Sequence, residues 1–331
     1  MAASKSKTVV YAAAAGNLLV ALTKLIAAAW TGSSAMLSEA IHSVVDTGNQ
    51  ALLLYGLHQA AKPPDATHPL GYGRELYFWS FIVALLLFTL GAGVAFYEGY
   101  SHIMRPNEIA DARISYIVYA CAAVFEGTSW YVALHEFRKA KGDAGYIEAI
   151  RHSKDPPTFI VLFEDSAALI GLAIAALGTF CAEHFSMPVL DGAASLGIGV
   201  VLTLTAFALA RESKGLLIGE PASSRLRDAI LAVARRTDGI DSAQIVFTVH
   251  MAPDQVIAAL SLEFRDSLET PEIERAIAEL ERAIHEAHPE VIAIFVKPQA
   301  SATPVTVPGR FPGRARKPNE TTAGTAAVSA R

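Results

Sequence analysis

Charge and cysteine are both scarce in this chain of 331 residues. Asp, Glu, Lys and Arg make up only 18% of it, against about 25% in an average soluble domain. Hydrophobic residues make up 52% and the mean hydropathy is +0.35. So much apolar surface exceeds what a soluble core takes up, and part of the chain is expected in lipid. The 27 Lys and Arg are outnumbered by 32 Asp and Glu, for a net charge of −5, so the basic face of a nucleic-acid-binding protein is missing. The two cysteines, Cys121 and Cys181, exclude a disulfide framework and a Cys-rich zinc cluster. Both lie in apolar stretches and are expected as small core residues. Neither His-Glu-x-x-His nor Gly-x-Ser-x-Gly occurs, which removes the support for a membrane-embedded hydrolase; no enzyme is expected.

What is present in abundance is apolar sequence in runs. Six runs are long enough to cross a hydrocarbon layer of about 30 Å, at approximately 8–31, 34–60, 77–102, 113–136, 157–182 and 188–210. The first is too long for a signal-peptide core and is read as a retained helix. Cytoplasmic loops carry the excess of Lys and Arg. With both termini inside, Lys5, Lys7, Lys62, Arg74, Arg138, Lys139, Lys141, Arg151, Lys154, Arg211 and Lys214 fall on the cytoplasmic side, against Arg105 and Arg113 on the other. The expected topology is inside–inside with six spans, with a bacterial inner membrane as the default location.

Apolar character ends near Arg211. The segment 213–298 reads as helix, strand, strand, helix, strand. Leu226, Ile230 and Val233 recur at helical spacing, Gln244–Met251 and Val256–Phe264 alternate around a Pro253-Asp254 turn, Thr270-Pro271-Glu272 opens a helix, and Val291–Val296 is a final strand. An αββαβ unit of this size suits a cytoplasmic ferredoxin-like α+β domain. Three regions follow: a six-helix transmembrane domain over 1–212, the soluble domain over 213–298, and a tail over 299–331 that lacks apolar periodicity and is expected to be disordered.

Ionisable groups inside the spans are costly and point to function. They are Lys24, Glu39, His42, Asp46, Glu126, Glu164 and Asp165. His42 and Asp46 are four apart and share a helix face, about 15 Å into their span at 1.5 Å per residue. Asp165 reaches a similar depth in the fifth span. One imidazole and two carboxylates at mid-membrane form a donor set for a divalent transition metal. Glu39, one turn from His42, is a candidate supporting or gating group, and Glu126 is expected either to pair with Lys24 or to relay protons.

At this point three motifs carry a likeness. Thr31-Gly-Ser-Ser-Ala-Met-Leu-Ser-Glu-Ala-Ile-His42-Ser-Val-Val-Asp46-Thr-Gly-Asn49-Gln resembles the second-helix signature of the cation diffusion facilitator family. His68-Pro-Leu-Gly-Tyr-Gly-Arg74 resembles the loop that follows it, and Asp191-Gly-Ala-Ala-Ser-Leu-Gly-Ile-Gly resembles the start of its sixth helix. The resemblance implies a homodimer in the lipid bilayer that exchanges a cytoplasmic divalent metal for protons, with no resident cofactor. The family's site takes two residues four apart from each of the second and fifth helices. His42, Asp46 and Asp165 match three of these positions, and the fourth falls on Val161, which cannot bind metal. The neighbouring Glu164 makes the sequence look closest to the zinc-transporter-nine-like branch. Glu164 lies about 100° round the helix from Asp165, so it completes the set only by a bend or a long rotamer, with water as the competing ligand. A second family site, in the loop, is matched by Asp65 and His68, with Tyr72 where another His is often found. A third, in the soluble domain, is largely absent, since Ser261 and Val296 stand at its His positions. His285 and His288 read as solvated helix-end residues, and His58, His102, His135, His152 and His184 as interfacial ones.

His42, Asp46 and Asp165 carry −2 with a neutral imidazole, which matches a divalent ion, and the same lone pairs accept protons. Metal and proton thus compete, and a site open alternately to each face is an antiporter. Zinc is placed first, with manganese, iron(II) or cobalt as alternatives given the oxygen-rich set. A membrane-anchored metal sensor or scaffold is the other reading.

Overall fold

The computed structural model describes residues 2–31, 34–105, 112–141, 145 and 155–299. Its long helices are α1 (Ala2–Thr31), α2 (Ser34–Ala60), α3 (Glu75–Leu86), α4 (Gly93–Met104), α5 (Ala112–Lys141), α6 (Pro156–His184) and α7 (Val189–Ile218). A π-helical stretch, Leu87–Ala92, joins α3 to α4, so the pair forms one rod, Glu75–Met104. Pro156 and Pro157 open α6, where their missing N–H groups leave no intrahelical bond unmade, and the Thr158 hydroxyl donates to Asp155 at 2.7 Å.

Among the described residues, five helices are long and apolar enough to cross a membrane: Ala13–Trp30, Glu75–Met104, Ser115–Lys139, Pro156–His184 and Val189–Ile218. Their outward faces are apolar, with Trp30, Tyr97, Val124, Leu204 and Phe207 all exposed, as lipid contact requires. The protein is an integral, multi-pass membrane protein. The run expected over 34–60 is also helical, 27 residues long, but its polar residues keep it out of that apolar set. His42, Ser43, Asp46, Asn49 and Gln50 of α2 are all buried. The cysteines depart from expectation: Cys121 is exposed and Cys181 half-buried. Their apolar surroundings in the sequence come from the outer face of the bundle rather than from its core.

The third rod and α7 meet at backbone contact. A Cβ on Gly99 would lie 2.8 Å from the Gly192 carbonyl oxygen, and one on Gly192 would lie 2.9 Å from that of Gly99, so only glycine fits either position.

A smaller unit follows in the expected order: α8 (Ser224–Ala234), β1 (Ile240–Ala252), β2 (Gln255–Phe264), α9 (Thr270–Ala287) and β3 (Val291–Pro298). The sheet order is β1-β2-β3; β1 pairs antiparallel with β2 and β2 parallel with β3, the latter pairing made possible by the α9 crossover. Glu269 and Glu272 form a capping box at the start of α9. Ile230, Leu260, Leu262, Leu280 and Ile284 make the core. Among the described residues the sheet has three strands, where the β-α-β-β-α-β ferredoxin-like unit has four. The β1–β2 hairpin rests on the loop after α2: a Cβ on Gly73 would lie 2.8 Å from the Met251 carbonyl oxygen and 2.9 Å from Ala252 Cβ. Gln299 N–H still donates to the Leu262 carbonyl at 2.8 Å; the rest of the expected tail, 300–331, lies outside the described residues.

Candidate metal site

The site grows from one stripe of α2. His42, Asp46 and Asn49 stand at i, i+4 and i+7 and so share a face. His42 Nε2 lies 3.4 Å from Asp46 Oδ2, with both side chains buried. The neighbouring stripe faces α1, where Lys24 Nζ donates to Ser43 Oγ at 3.0 Å and Asn17 Nδ2 donates to Gln50 Oε1 at 3.1 Å. Gly91, in the π-helical stretch, faces the other side of the imidazole; a Cβ there would come within 3.9 Å of His42 Nδ1.

Two adjacent acids come from α6. Asn49 Nδ2 donates to Glu164 Oε1 at 2.9 Å, so Glu164 is tied to α2 rather than turned towards Asp165's face. Its other oxygen, Oε2, has no hydrogen-bond partner, nor do Asp46 Oδ1 and both Asp165 oxygens. The Ser129 hydroxyl of α5 neighbours the Asp165 carboxylate without reaching good hydrogen-bond geometry. Four buried acceptors left open on three acids, all 1% exposed, are costly in a protein interior. A cation or protons would satisfy them. Glu126, Glu164, Asp165 and Lys24 all act electrostatically on Asp46, so acids and cation form one cluster. Val161, one turn before Asp165, is completely buried among apolar residues. Among the described residues no three His, Cys, Asp or Glu side chains stand close enough to hold a metal ion together. His42 and Asp46 are paired on α2, and Asp165 does not close a coordination shell with them. The side chain of Glu39 lies outside the described residues.

The loop pair is built differently. Asp65 Oδ1 accepts from the backbone N–H of Thr67 and of His68, at 2.9 and 2.7 Å, and Oδ2 accepts from the Tyr72 hydroxyl at 2.6 Å. These bonds, Tyr72's first, hold the Asp65 carboxyl far below the usual carboxylate range, and the same contact raises the Tyr72 phenol. His68 Nδ1 is 3.7 Å from Asp65 Oδ1, and its ring lies over Tyr72 with centroids 4.2 Å apart. Tyr72 thus serves as a donor to Asp65 rather than as a stand-in ligand. In the small unit, His285 Nδ1 is 3.4 Å from the Val291 carbonyl oxygen and His288 lies 3.4 Å from Glu290.

Sequence reasoning missed a second buried polar cluster. His102, expected at an interface, is 4% exposed and lies 3.2 Å from Asp191. Thr179 donates to Asp191 at 3.3 Å, and Tyr119 meets Thr179 at 3.4 Å. Four helices thereby share one polar knot. The residues are far apart in sequence and no spacing announces them. Asn49 was within reach, because it continues the 42/46 stripe by one turn.

The family described as cation efflux transmembrane domain matches residues 10–218. The chain is 37% identical over 197 residues to the protein named proton-coupled zinc antiporter SLC30A9, mitochondrial, of Xenopus laevis, covering 59% of this chain and 35% of that protein. It is 32% identical over 216 residues to metal tolerance protein C4 of Arabidopsis thaliana, covering 64% and 47%. It is 24% identical over 302 residues to the cation-efflux pump FieF of Escherichia fergusonii, covering 90% and 94%. The chain spans about a third of the length of the SLC30A9 proteins it matches. The likeness read from the three motifs is borne out by a match that covers the whole helical bundle: the chain belongs to the cation diffusion facilitator family and resembles its zinc-transporter-nine-like branch.

Proposed function

We propose that the chain is a divalent-cation efflux transporter, not an enzyme, that exchanges zinc for protons by alternating access. The observation that carries this reading is the buried set of open carboxylate oxygens on Asp46, Glu164 and Asp165 beside a His42–Asp46 pair at 3.4 Å. An ion that sheds its water needs compensating donors, and imidazole with carboxylates supplies them to a borderline metal. His42, Asp46 and Asp165 are the ligands. Glu164, bound through one oxygen by Asn49, supports the site and adds charge, and water takes the fourth position. Once the metal leaves, the same oxygens accept protons, which gives the return half of the cycle. The sensor or scaffold reading has less support, because an anchor has no use for four buried acids.

The same proposal takes α2 as a sixth span, its polar stripe shielded by α1 and α6, with residues 1–212 as the transport domain. Residues 213–298 act as a cytoplasmic ferredoxin-like domain that assists a homodimer, and both termini are cytoplasmic in a bacterial inner membrane. Asp65 and His68 form a lesser second site, where a metal must take Oδ2 from Tyr72. The names of the relatives support zinc and proton coupling, with manganese and iron(II) as competing cargoes. Zinc titration of the purified protein by calorimetry tests the ligand set. One tight site lost in His42→Ala, Asp46→Asn and Asp165→Asn, but kept in Glu164→Gln, is expected; tight binding that survives all three ligand changes refutes it.

A further inference from the structure

We propose that Lys24 is a fixed counter-charge of the transport site, a specificity-determining residue that keeps metal affinity low enough for release. The inference rests on the reading of His42, Asp46 and Asp165 as ligands. Lys24 is completely buried in α1, where an ammonium is expensive unless it is held by polar partners. Its Nζ donates at 3.0 Å to the hydroxyl of Ser43, the residue next to His42, which places the cation against α2 at the level of the ligands. From there it acts directly on Asp46, opposing Glu126, Glu164 and Asp165.

The charge arithmetic shows what it changes. Asp46, Glu126, Glu164 and Asp165 carry −4 when ionised; a divalent metal brings the cluster to −2, and Lys24 brings it to −1. Without Lys24 the metal sits in a field one unit more negative, and like charges a few ångströms apart in a poorly screened interior interact strongly. A transport site has to bind well enough to load and loosely enough to unload. A cation beside it shifts that balance towards unloading, and it disfavours monovalent ions less than divalent ones. Lys24 is not needed to fasten α1 to α2, because the Asn17–Gln50 hydrogen bond does so independently, two turns away.

The test compares wild type, Lys24→Gln, Lys24→Arg and Ser43→Ala, as full-length protein. Zinc affinity is measured by calorimetry, and KM and kcat by zinc uptake into proteoliposomes. Lys24→Gln is expected to bind zinc about tenfold more tightly, with a lower KM and a lower kcat as release slows. Lys24→Arg keeps the charge and should stay near wild type, whereas Ser43→Ala keeps the charge but loosens its tether and should fall between wild type and Lys24→Gln. The double variant Lys24→Gln/Glu126→Gln restores the net charge and should restore wild-type affinity; it carries the test if the single change does not fold. Unchanged affinity in Lys24→Gln, an equal change in Lys24→Arg, or an unrestored double variant overturns the counter-charge role. A wild-type protein that binds no zinc overturns instead the transport reading on which the inference rests.

Discussion

The bond between Asn49 and Glu164 distinguishes a support from a ligand, and its strength can be worked out. Both residues are 1% exposed, the bond is 2.9 Å long, and the acceptor is a carboxylate. Hydrogen bonds to charged groups contribute about 1.5–3 kcal/mol in soluble proteins. Interhelical bonds in a bilayer average about 0.6 and reach about 1.7 kcal/mol, because the unfolded state in the membrane finds other partners. Burial of both partners places this bond near the top of the bilayer range, at about 1.5 kcal/mol, or roughly tenfold in the unfolding equilibrium. The double-mutant cycle Asn49→Ala, Glu164→Ala and both together, read by unfolding in mixed detergent micelles, should return that coupling energy. Glu164→Gln retains an acceptor for Asn49 but removes one negative charge, so it should weaken zinc binding by about tenfold without abolishing the site. A coupling below about 0.3 kcal/mol refutes the support role. So does a Glu164→Gln protein that is fully stable yet has lost zinc, since Glu164 is then a ligand.

Other consequences reach beyond the site. Asp191→Ala removes the centre of the His102–Thr179–Tyr119 knot and should cost about 1.5–3 kcal/mol in the same unfolding titration; a loss under about 0.5 kcal/mol contradicts the burial argument. Gly73→Ala drives a methyl group to 2.8 Å from the Met251 carbonyl oxygen and 2.9 Å from Ala252 Cβ, backbone and side chain that cannot both yield. Hydrogen exchange at residues 250–256 should therefore speed up, and unchanged protection would show that loop and hairpin are not in contact. Because the folded Asp65 carboxyl is held below its ordinary value, its contribution to loop order is present above the unfolded value near 3.9 and is lost only as pH falls through the lower folded value. Tyr72→Phe removes the strongest bond, so the Thr67 and His68 amides should lose protection at a higher pH than in wild type; an unmoved transition rules out Tyr72 as the cause.

How much was legible depended on whether a feature was local. The α2 stripe was readable because His42 and Asp46 report each other through helical spacing, and the small unit was readable because alternation over 244–251 and 256–264 and the Thr270-Pro271-Glu272 start are local signals. The His102–Asp191 pair joins two helices far apart in sequence, and an isolated histidine near a span end carries no sign of it. The π-helical stretch at Leu87–Ala92 has no proline to announce it, and its Gly91 faces Leu202 and His42 from distant segments. Glu164 finds its partner Asn49 on another helix, so no local spacing reports that bond. Cys121 was misplaced because an apolar run looks alike whether it faces protein or lipid.

The most direct test of the transport account is zinc-driven proton movement in sealed proteoliposomes, followed with a pH-sensitive dye inside, for wild type, Asp46→Asn and Asp165→Asn, with manganese and iron(II) offered in parallel. Proton flux driven by zinc in wild type and lost in both variants is the predicted result. No proton movement with any metal in correctly folded wild-type protein, or undiminished flux after either carboxylate is neutralised, would contradict metal–proton exchange at this site.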